Sequence, residues 1–266
     1  MQSPRDSVPT LAELATLAGS ERLEDRAFAG SLLQMGRVSA SASELRALYE
    51  RVGEAARRAH ATWRTRIIDQ RFDRAAFLFE LEQQPLELRN HWVEEALGIA
   101  YPPLQLRQLP QEFVSYSPSG IAEVRFLLDS AALGPGRTFV DLGSGLGKVV
   151  LLTALLSGAN AIGVELDGAL VAGARSAASA LGLANASFIE GDLRSVPLPE
   201  ADVYYMFIPL QRSAELLARL EPIAQRRRFL LFAQGLDLSQ TPWLRKTGEA
   251  SYWLERFEAG SPTMMR

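Results

Sequence analysis

Residues 138–152 read TFVDLGSGLGKVVLL, one apolar run joined to a second through a turn with three glycines and a lysine. Such a turn carries a strand directly into a helix, and loops of this kind hold a charged ligand against the helix start. The pattern continues downstream. A helix is expected from Lys148 to about Ser157, with Gly158 as its stop, and NAIGVEL follows as a strand. An alanine-rich helix over Ala169–Leu181 is again closed by glycine, and ASFIEGD and DVYYMFI read as further strands. A helix over Ala214–Leu220, then RFLLFAQ and SYWLERFEA, complete the alternation. Strands alternating with helices imply a mostly parallel sheet covered on both faces, a doubly wound α/β domain.

The first part of the chain has another texture. Thr10–Glu13 and Ser41–Glu44 both fit the capping box of a helix N-terminus. Leu45, Leu48, Val52, Ala56, Ala59, Trp63 and Ile67 recur at steps of three and four, predicting one long amphipathic helix. Another helix is predicted from Pro85 through Trp92 and Leu97 to a stop at Gly98. YPPLQLRQLP then breaks the pattern, which places a domain boundary near residue 110. The expectation is an α-helical N-terminal domain over 1–110, serving as lid, substrate or assembly element, and a ligand-binding domain over 111–266.

Composition narrows the function. A net charge of −3 gives no electrostatic case for nucleic-acid binding. Without cysteine the chain has no disulfide, thiolate zinc site or cysteine nucleophile, and its two histidines, His60 and His91, show no metal-ligand spacing. No resident metal is expected. No stretch approaches the roughly 20 apolar residues of a membrane span, and MQSPRDSVPT has no apolar core of signal-peptide type. A cytoplasmic location is therefore expected, with the oligomeric state left open. Arg57, Arg58, Arg64, Arg66, Arg71 and Arg74 make a locally basic stretch, read as a solvated helix face rather than a docking surface.

Three readings compete for the glycine turn. A phosphate P-loop requires G-x-x-x-x-G-K-[ST], yet Leu142 replaces its first glycine and Val149 its magnesium-binding hydroxyl. A dinucleotide site requires G-x-G-x-x-G, whereas Gly143, Gly145 and Gly147 are spaced G-x-G-x-G. Asp141, at the strand end, would repel a pyrophosphate and suit a ligand with positive charge near the helix start at Lys148. S-adenosyl-L-methionine is such a ligand, with an ammonium and a sulfonium beside its nucleoside. Glu165 ends the second strand, where an acid can take both ribose hydroxyls. Asp192 ends the third and is placed to accept from the adenine amino group, with Leu193 against the ring. Any one of these acids is a common loop carboxylate. Three at successive strand ends point to one ligand.

VDLGSGLGKVV, GVEL and EGDL resemble the first three motifs of class I, seven-strand S-adenosyl-L-methionine-dependent methyltransferases, over about residues 112–257. The resemblance implies a Rossmann-like seven-stranded sheet and makes Gly143, Gly145, Gly147 and Lys148 cofactor contacts. Two lysine-methylating branches look closest. The sequence is similar to non-SET histone-lysine methyltransferases of the disruptor of telomeric silencing type in FVDLGSG and GVE; there YSPSG (116–120) matches a cofactor-covering loop, with Ser119 in the position of a threonine. It is also similar to ATP-synthase c-subunit lysine methyltransferases in the Tyr-x-Pro-Ser entry loop, Tyr116–Ser119, and loosely in Pro209 and Gln211 of MFIPLQ.

The histone branch has asparagine where this chain has Phe207 and Ile208, and the chain lacks a basic extension, so a histone substrate is not implied. The absence of Asn/Asp-Pro-Pro-Tyr argues against methylation of a base nitrogen or glutamine amide. An amine acceptor must be neutral, and a dry slot built by Tyr116, Phe207, Ile208 and Pro209 favours that form without a dedicated base. Tyr116, Phe207 and Pro209 are therefore the expected catalytic positions, and a protein lysine the expected acceptor. The alternatives are a small-molecule acceptor and a non-catalytic cofactor-binding module.

Overall fold

The computed structural model describes residues 9–35, 37–100, 118–207, 210–236, 238, 240–249 and 254–260. Tyr116, Ile208, Pro209, the break at YPPLQLRQLP and the first three residues of SYWLERFEA lie outside the described residues. The chain divides into two compact units, Met1–Pro110 with Ser179–Gly182, and Gln111–Ala178 with Leu183–Arg266.

The first unit is helical. Helices α1 (Leu11–Ala18), α2 (Leu23–Gln34) and α3 (Ala42–Ala59) pack around Leu14, Ala18, Ala29, Leu32, Leu33, Val38, Leu45 and Leu48. Both capping boxes form: Thr10 and Ser41 accept from the backbone of Glu13 and Glu44, whose carboxylates reach back. The long helix expected over 45–67 is broken. His60 (φ −105°, ψ 13°) ends α3 and begins α4 (Ala61–Ile68), so Ala59, expected on the apolar face, is exposed and His60 is buried. The reason is a polar pairing that hydrophobic spacing cannot display. His60 Nδ1 lies 3.5 Å from Glu95 Oε2, and the ring packs edge-on to Trp92 at 5.6 Å. Burial holds the His60 imidazole below its ordinary range, against the opposing pull of Glu95.

The rest of this unit is α5 (Arg74–Gln83), a 3-10 turn (Leu86–Leu88) and α6 (Arg89–Leu97). The helix expected from Pro85 thus begins as a 3-10 turn, and Gly98 ends it. Trp63, Phe77 and Trp92 meet at ring distances of 5.1–6.4 Å. A buried ion pair pins α6 to α2: Arg26, 2% exposed, donates to both Glu95 oxygens at 2.8 and 2.9 Å.

The second unit contains α7 (Ile121–Ser130) and a seven-stranded sheet. Its strands are β1 (Thr138–Leu142), β2 (Asn160–Glu165), β3 (Ala186–Glu190), β4 (Val203–Met206), β5 (Phe229–Gln234), β6 (Leu244–Glu249) and β7 (Leu254–Ala259). They lie in the order β3-β2-β1-β4-β5-β7-β6. The first five are parallel, and β7 runs antiparallel between β5 and β6. Helices α8 (Lys148–Ser157), α9 (Gly168–Ala180) and α10 (Leu210–Arg226) make the crossovers. Helix α8 is buried over Lys148–Ala154, as its continuous apolar run requires. Strand β6 escapes sequence reading because LRKTGE is polar. It is an edge strand whose Lys246 and Arg245 pair with Glu249, Glu255 and Glu258.

After β3 the chain returns to the opposite side of β1 to form β4. The strand order therefore reverses between β1 and β4, and ligands of doubly wound sheets bind at the carboxyl ends of the strands at such a point. Among the described residues no helix is long and apolar enough to cross a membrane.

The Arg26–Glu95 pair gives a test of the helical unit. Glu95→Ala leaves Arg26 buried without its counter-charge and should destabilise by about 3–5 kcal/mol. Replacing both residues with methionine should cost less than either single change. Urea unfolding of the three variants measures this, and equal or additive losses would show that the charges do not act as a pair.

Candidate functional site

The site grows from a turn that only glycine can make. Gly143, Gly145 and Gly147 have φ of 93°, 53° and 78°, in the left-handed region. At Gly147 space is as restrictive as angle, since a Cβ would stand 2.6 Å from the Phe188 ring and 3.1 Å from Ala174 Cβ. The turn is stitched to β2: the amides of Gly143 and Ser144 donate to Val164 O at 2.8 and 3.1 Å, and the Gly145 amide donates to Glu165 Oε2 at 2.8 Å. Gly147 N–H donates to Ser144 O, and α8 begins at once with Lys148.

A cavity opens here, lined by Pro118, Ser119, Asp141, Gly143, Ser144, Lys148, Val149, Tyr205 and Phe207. Asp141 is 3% exposed and in register with Gly163 of β2 and Tyr205 of β4. Burial, with the Glu165 carboxylate as a second cause, pushes the Asp141 carboxyl up to about 8. Ser144 Oγ is buried and has no hydrogen-bond partner among the described residues. Lys148 is buried at the first position of α8. A buried carboxylate, an unsatisfied hydroxyl and a lysine at a helix start suit a compact zwitterion. The ammonium would go to Asp141 and the carboxylate toward Lys148. These residues fit the amino-acid end of S-adenosyl-L-methionine.

The nucleoside positions expected from sequence are arranged around the same strand ends. Glu165 is half-buried; its oxygens accept from the amides of Gly145 and Asp167, each at 2.8 Å, so it braces the turn as well as facing the strand end. Asp192 is gripped by Arg194, whose Nε donates to its oxygens at 3.0 and 2.8 Å. Its carboxylate is thus already engaged. Leu193 is half-buried, packed on the sheet core, and Arg219 of α10 holds this loop by donating to the carbonyls of Leu193 and Val196. Ser119 is buried at the cavity edge and Phe207 is 38% exposed just past β4.

The two tyrosines of β4 divide as strand alternation requires. Tyr204 points into the core, where its hydroxyl donates to Pro199 O and its ring packs on Phe229 at 4.8 Å. Tyr205 points into the cavity wall. Sequence reading did not single out Ser144, Gly163, Arg219 or Gln234. A Cβ at Gly163 would meet Ser144 Oγ at 2.5 Å, so that glycine makes room for the turn. Gln234 had a visible signal: it is the polar residue at the carboxyl end of the apolar strand RFLLFAQ.

The strand order, the antiparallel β7 and the D-x-G-x-G-x-G turn at the reversal point define a class I, seven-strand methyltransferase. The protein is an S-adenosyl-L-methionine-dependent enzyme of that class. Residues 116–188 match the model of a family described as histone methylation protein DOT1. Among solved structures, an RNA methyltransferase from Salinibacter ruber in complex with S-adenosyl-L-homocysteine is 25% identical; the match covers 55% of this chain and 95% of that one, with a TM-score of 0.47. A putative methyltransferase from Escherichia coli is 18% identical over 58% of this chain and 93% of its own, with a TM-score of 0.45. A geranyl diphosphate C-methyltransferase from Streptomyces coelicolor A3(2) is 19% identical over 43% of this chain, TM-score 0.35, and the match spans only 45% of that protein.

Asp141 should make cofactor binding pH-dependent in a defined direction. Its folded pKa lies above the ordinary 3.8, so the unliganded protein holds an extra proton between pH 3.8 and about 8. Stability of the unliganded protein should therefore fall as pH rises through that window. A ligand ammonium favours the ionised carboxylate, so binding S-adenosyl-L-homocysteine at pH 7 should release a proton. Affinity should rise by up to about tenfold per pH unit below pH 8. Asp141→Asn should abolish the proton release and weaken binding above pH 8. Calorimetry in buffers of different ionisation enthalpy measures both, and an undiminished release in the variant would remove Asp141 from the site.

Proposed function

We propose that the enzyme methylates the ε-amine of a protein lysine. The observation that carries this reading is the chemistry of the cavity wall: Pro118, Val149, Tyr205 and Phe207 supply apolar and aromatic surface, and no imidazole lines it among the described residues. Both histidines belong to the helical unit. When bound, S-adenosyl-L-methionine supplies a methyl carbon already activated by its sulfonium. What the chain must add is alignment of a nucleophile and exclusion of water. An apolar wall does this for an amine, because desolvation favours the neutral nucleophile and its proton leaves to solvent on the way in. An unactivated alcohol would stay a poor nucleophile beside the same wall.

The match of residues 116–188 to a histone methylation family supports an amine on a protein as acceptor. The net charge of −3 gives no electrostatic case for the nucleosome itself, which favours a different protein. In this reading Asp141 and Lys148 hold the amino-acid end of the cofactor with Ser119 in the wall beside them, and Gly143, Gly145 and Gly147 let the backbone approach it. Glu165, Asp192 and Leu193 hold the nucleoside. Phe207 meets the acceptor; Tyr116 and Pro209, the other acceptor residues of this reading, lie outside the described residues.

Phe207→Ala should lower turnover about tenfold or more while leaving affinity for S-adenosyl-L-homocysteine nearly unchanged, because it aligns the acceptor alone. The assay is transfer of labelled methyl from S-adenosyl-L-methionine to lysate proteins of the source organism, read by mass spectrometry as methyl-lysine. Label confined to small molecules would overturn the lysine reading in favour of a metabolite acceptor. Binding without any transfer would leave only a cofactor-binding module.

A further inference from the structure

The hydroxyl of Tyr205 joins three separate parts of the sheet unit. It hydrogen-bonds Ser119 Oγ at 2.7 Å and Gln234 Oε1 at 2.8 Å. Tyr205 is 1% exposed near the end of β4, Ser119 is 7% exposed in the segment entering α7, and Gln234 is the last residue of β5. The amide oxygen of Gln234 can only accept, so the phenol proton is committed to it, and the Ser119 hydroxyl then donates to the phenol oxygen. Burial drives the Tyr205 phenol far above the ordinary tyrosine range, which keeps that proton in place.

Packing does not account for this hydroxyl. Phe232 stands in register with Tyr205 on the same face of the sheet, fully buried, and packs edge-on to Phe126 at 6.1 Å. That face accepts a plain aromatic ring. The oxygen of Tyr205 is an addition placed where β4, β5 and the approach to α7 meet, in the wall of the cavity that holds Asp141, Ser144 and Lys148.

We propose that Tyr205 is a positioning residue whose hydroxyl latches Ser119, and with it the Pro118–Ser119 wall, beside Asp141, so that the amino-acid end of the cofactor meets a fixed surface. Gln234 sets the latch by taking the phenol proton. The inference rests on the methyltransferase class and is independent of the acceptor.

Tyr205→Phe keeps the ring and deletes the latch. It should weaken binding of S-adenosyl-L-homocysteine about tenfold and speed its dissociation, as loss of one buried hydrogen bond does. Ser119→Ala breaks the same link and should show a similar loss, whereas Ser119→Thr keeps the hydroxyl and should retain affinity. The double variant, Tyr205→Phe with Ser119→Ala, should lose little beyond either single change, since both remove one bond. Independent losses multiplying toward about a hundredfold would overturn the latch, as would wild-type affinity in Tyr205→Phe. Thermal unfolding without ligand separates a purely architectural bond, which would lower the midpoint and leave affinity alone; that outcome too counts against the proposal. Failure of the wild-type protein to bind S-adenosyl-L-homocysteine would instead strike at the methyltransferase class.

Discussion

The site depends on one close approach of backbone to ring. Phe188 of β3 lies against two positions, Gly147 and Gly163, where an added Cβ would stand 2.6 and 2.7 Å from its atoms. With side chains there, the turn after β1 would be pushed off β2. The amides of Gly143 and Ser144 would lose Val164 O, and that of Gly145 would lose Glu165. The cavity lining follows from this contact, because the seated turn carries Ser144 to the cavity and starts α8 at Lys148. The glycines of VDLGSGLGK and of IGVEL are thus two halves of one steric requirement, contributed by adjacent strands.

Seating the turn brings a cost at Asp141. A carboxyl in register between two central strands, 3% exposed and near Glu165, is held mostly protonated at neutral pH. A neutral or apolar residue would serve the fold better. A cationic ligand at this place would reverse the penalty that burial imposes. The energy withheld from folding would then act as discrimination, since a pyrophosphate at the same place would add a second negative charge. The same argument explains why the turn departs from both phosphate-binding spacings.

Much of the sheet unit was legible because its signals are local. Helix α8 occupies the expected residues, Lys148–Ser157, and six strands lie where apolar runs predicted them. Apolar alternation also sent one β4 tyrosine to each face. What was not legible depends on pairing. His60 broke a helix that hydrophobic spacing drew as continuous, because its partner Glu95 lies far away in sequence and a buried polar pair resembles an exposed one on paper. Strand β6 was missed because charged edge residues with cross-strand partners carry no apolar period. At the site, the acids at the strand ends were readable, but their engagements were not. That Asp192 is held by Arg194, and that Glu165 braces the turn, are facts of geometry alone.

Strand β4 shows how fold and site share one sequence. Its four residues are fully or almost fully buried, so composition alone marks it as core. Yet Tyr204 spends its hydroxyl closing the loop before the strand, on Pro199 O and the Ala201 amide. Tyr205, one residue on, turns its hydroxyl to the cavity wall. Two residues past Tyr205, on the same side by strand period, Phe207 emerges at the rim. The strand therefore delivers, in order, a core anchor, a polar group in the cavity wall and an aromatic ring at its rim. A shift of one residue in its pairing with β1 would bury Phe207 and turn Tyr205 away from Asp141. The register is held by Tyr204 and Met206 on the core side, so the packing that stabilises the sheet is also what aims the cavity wall.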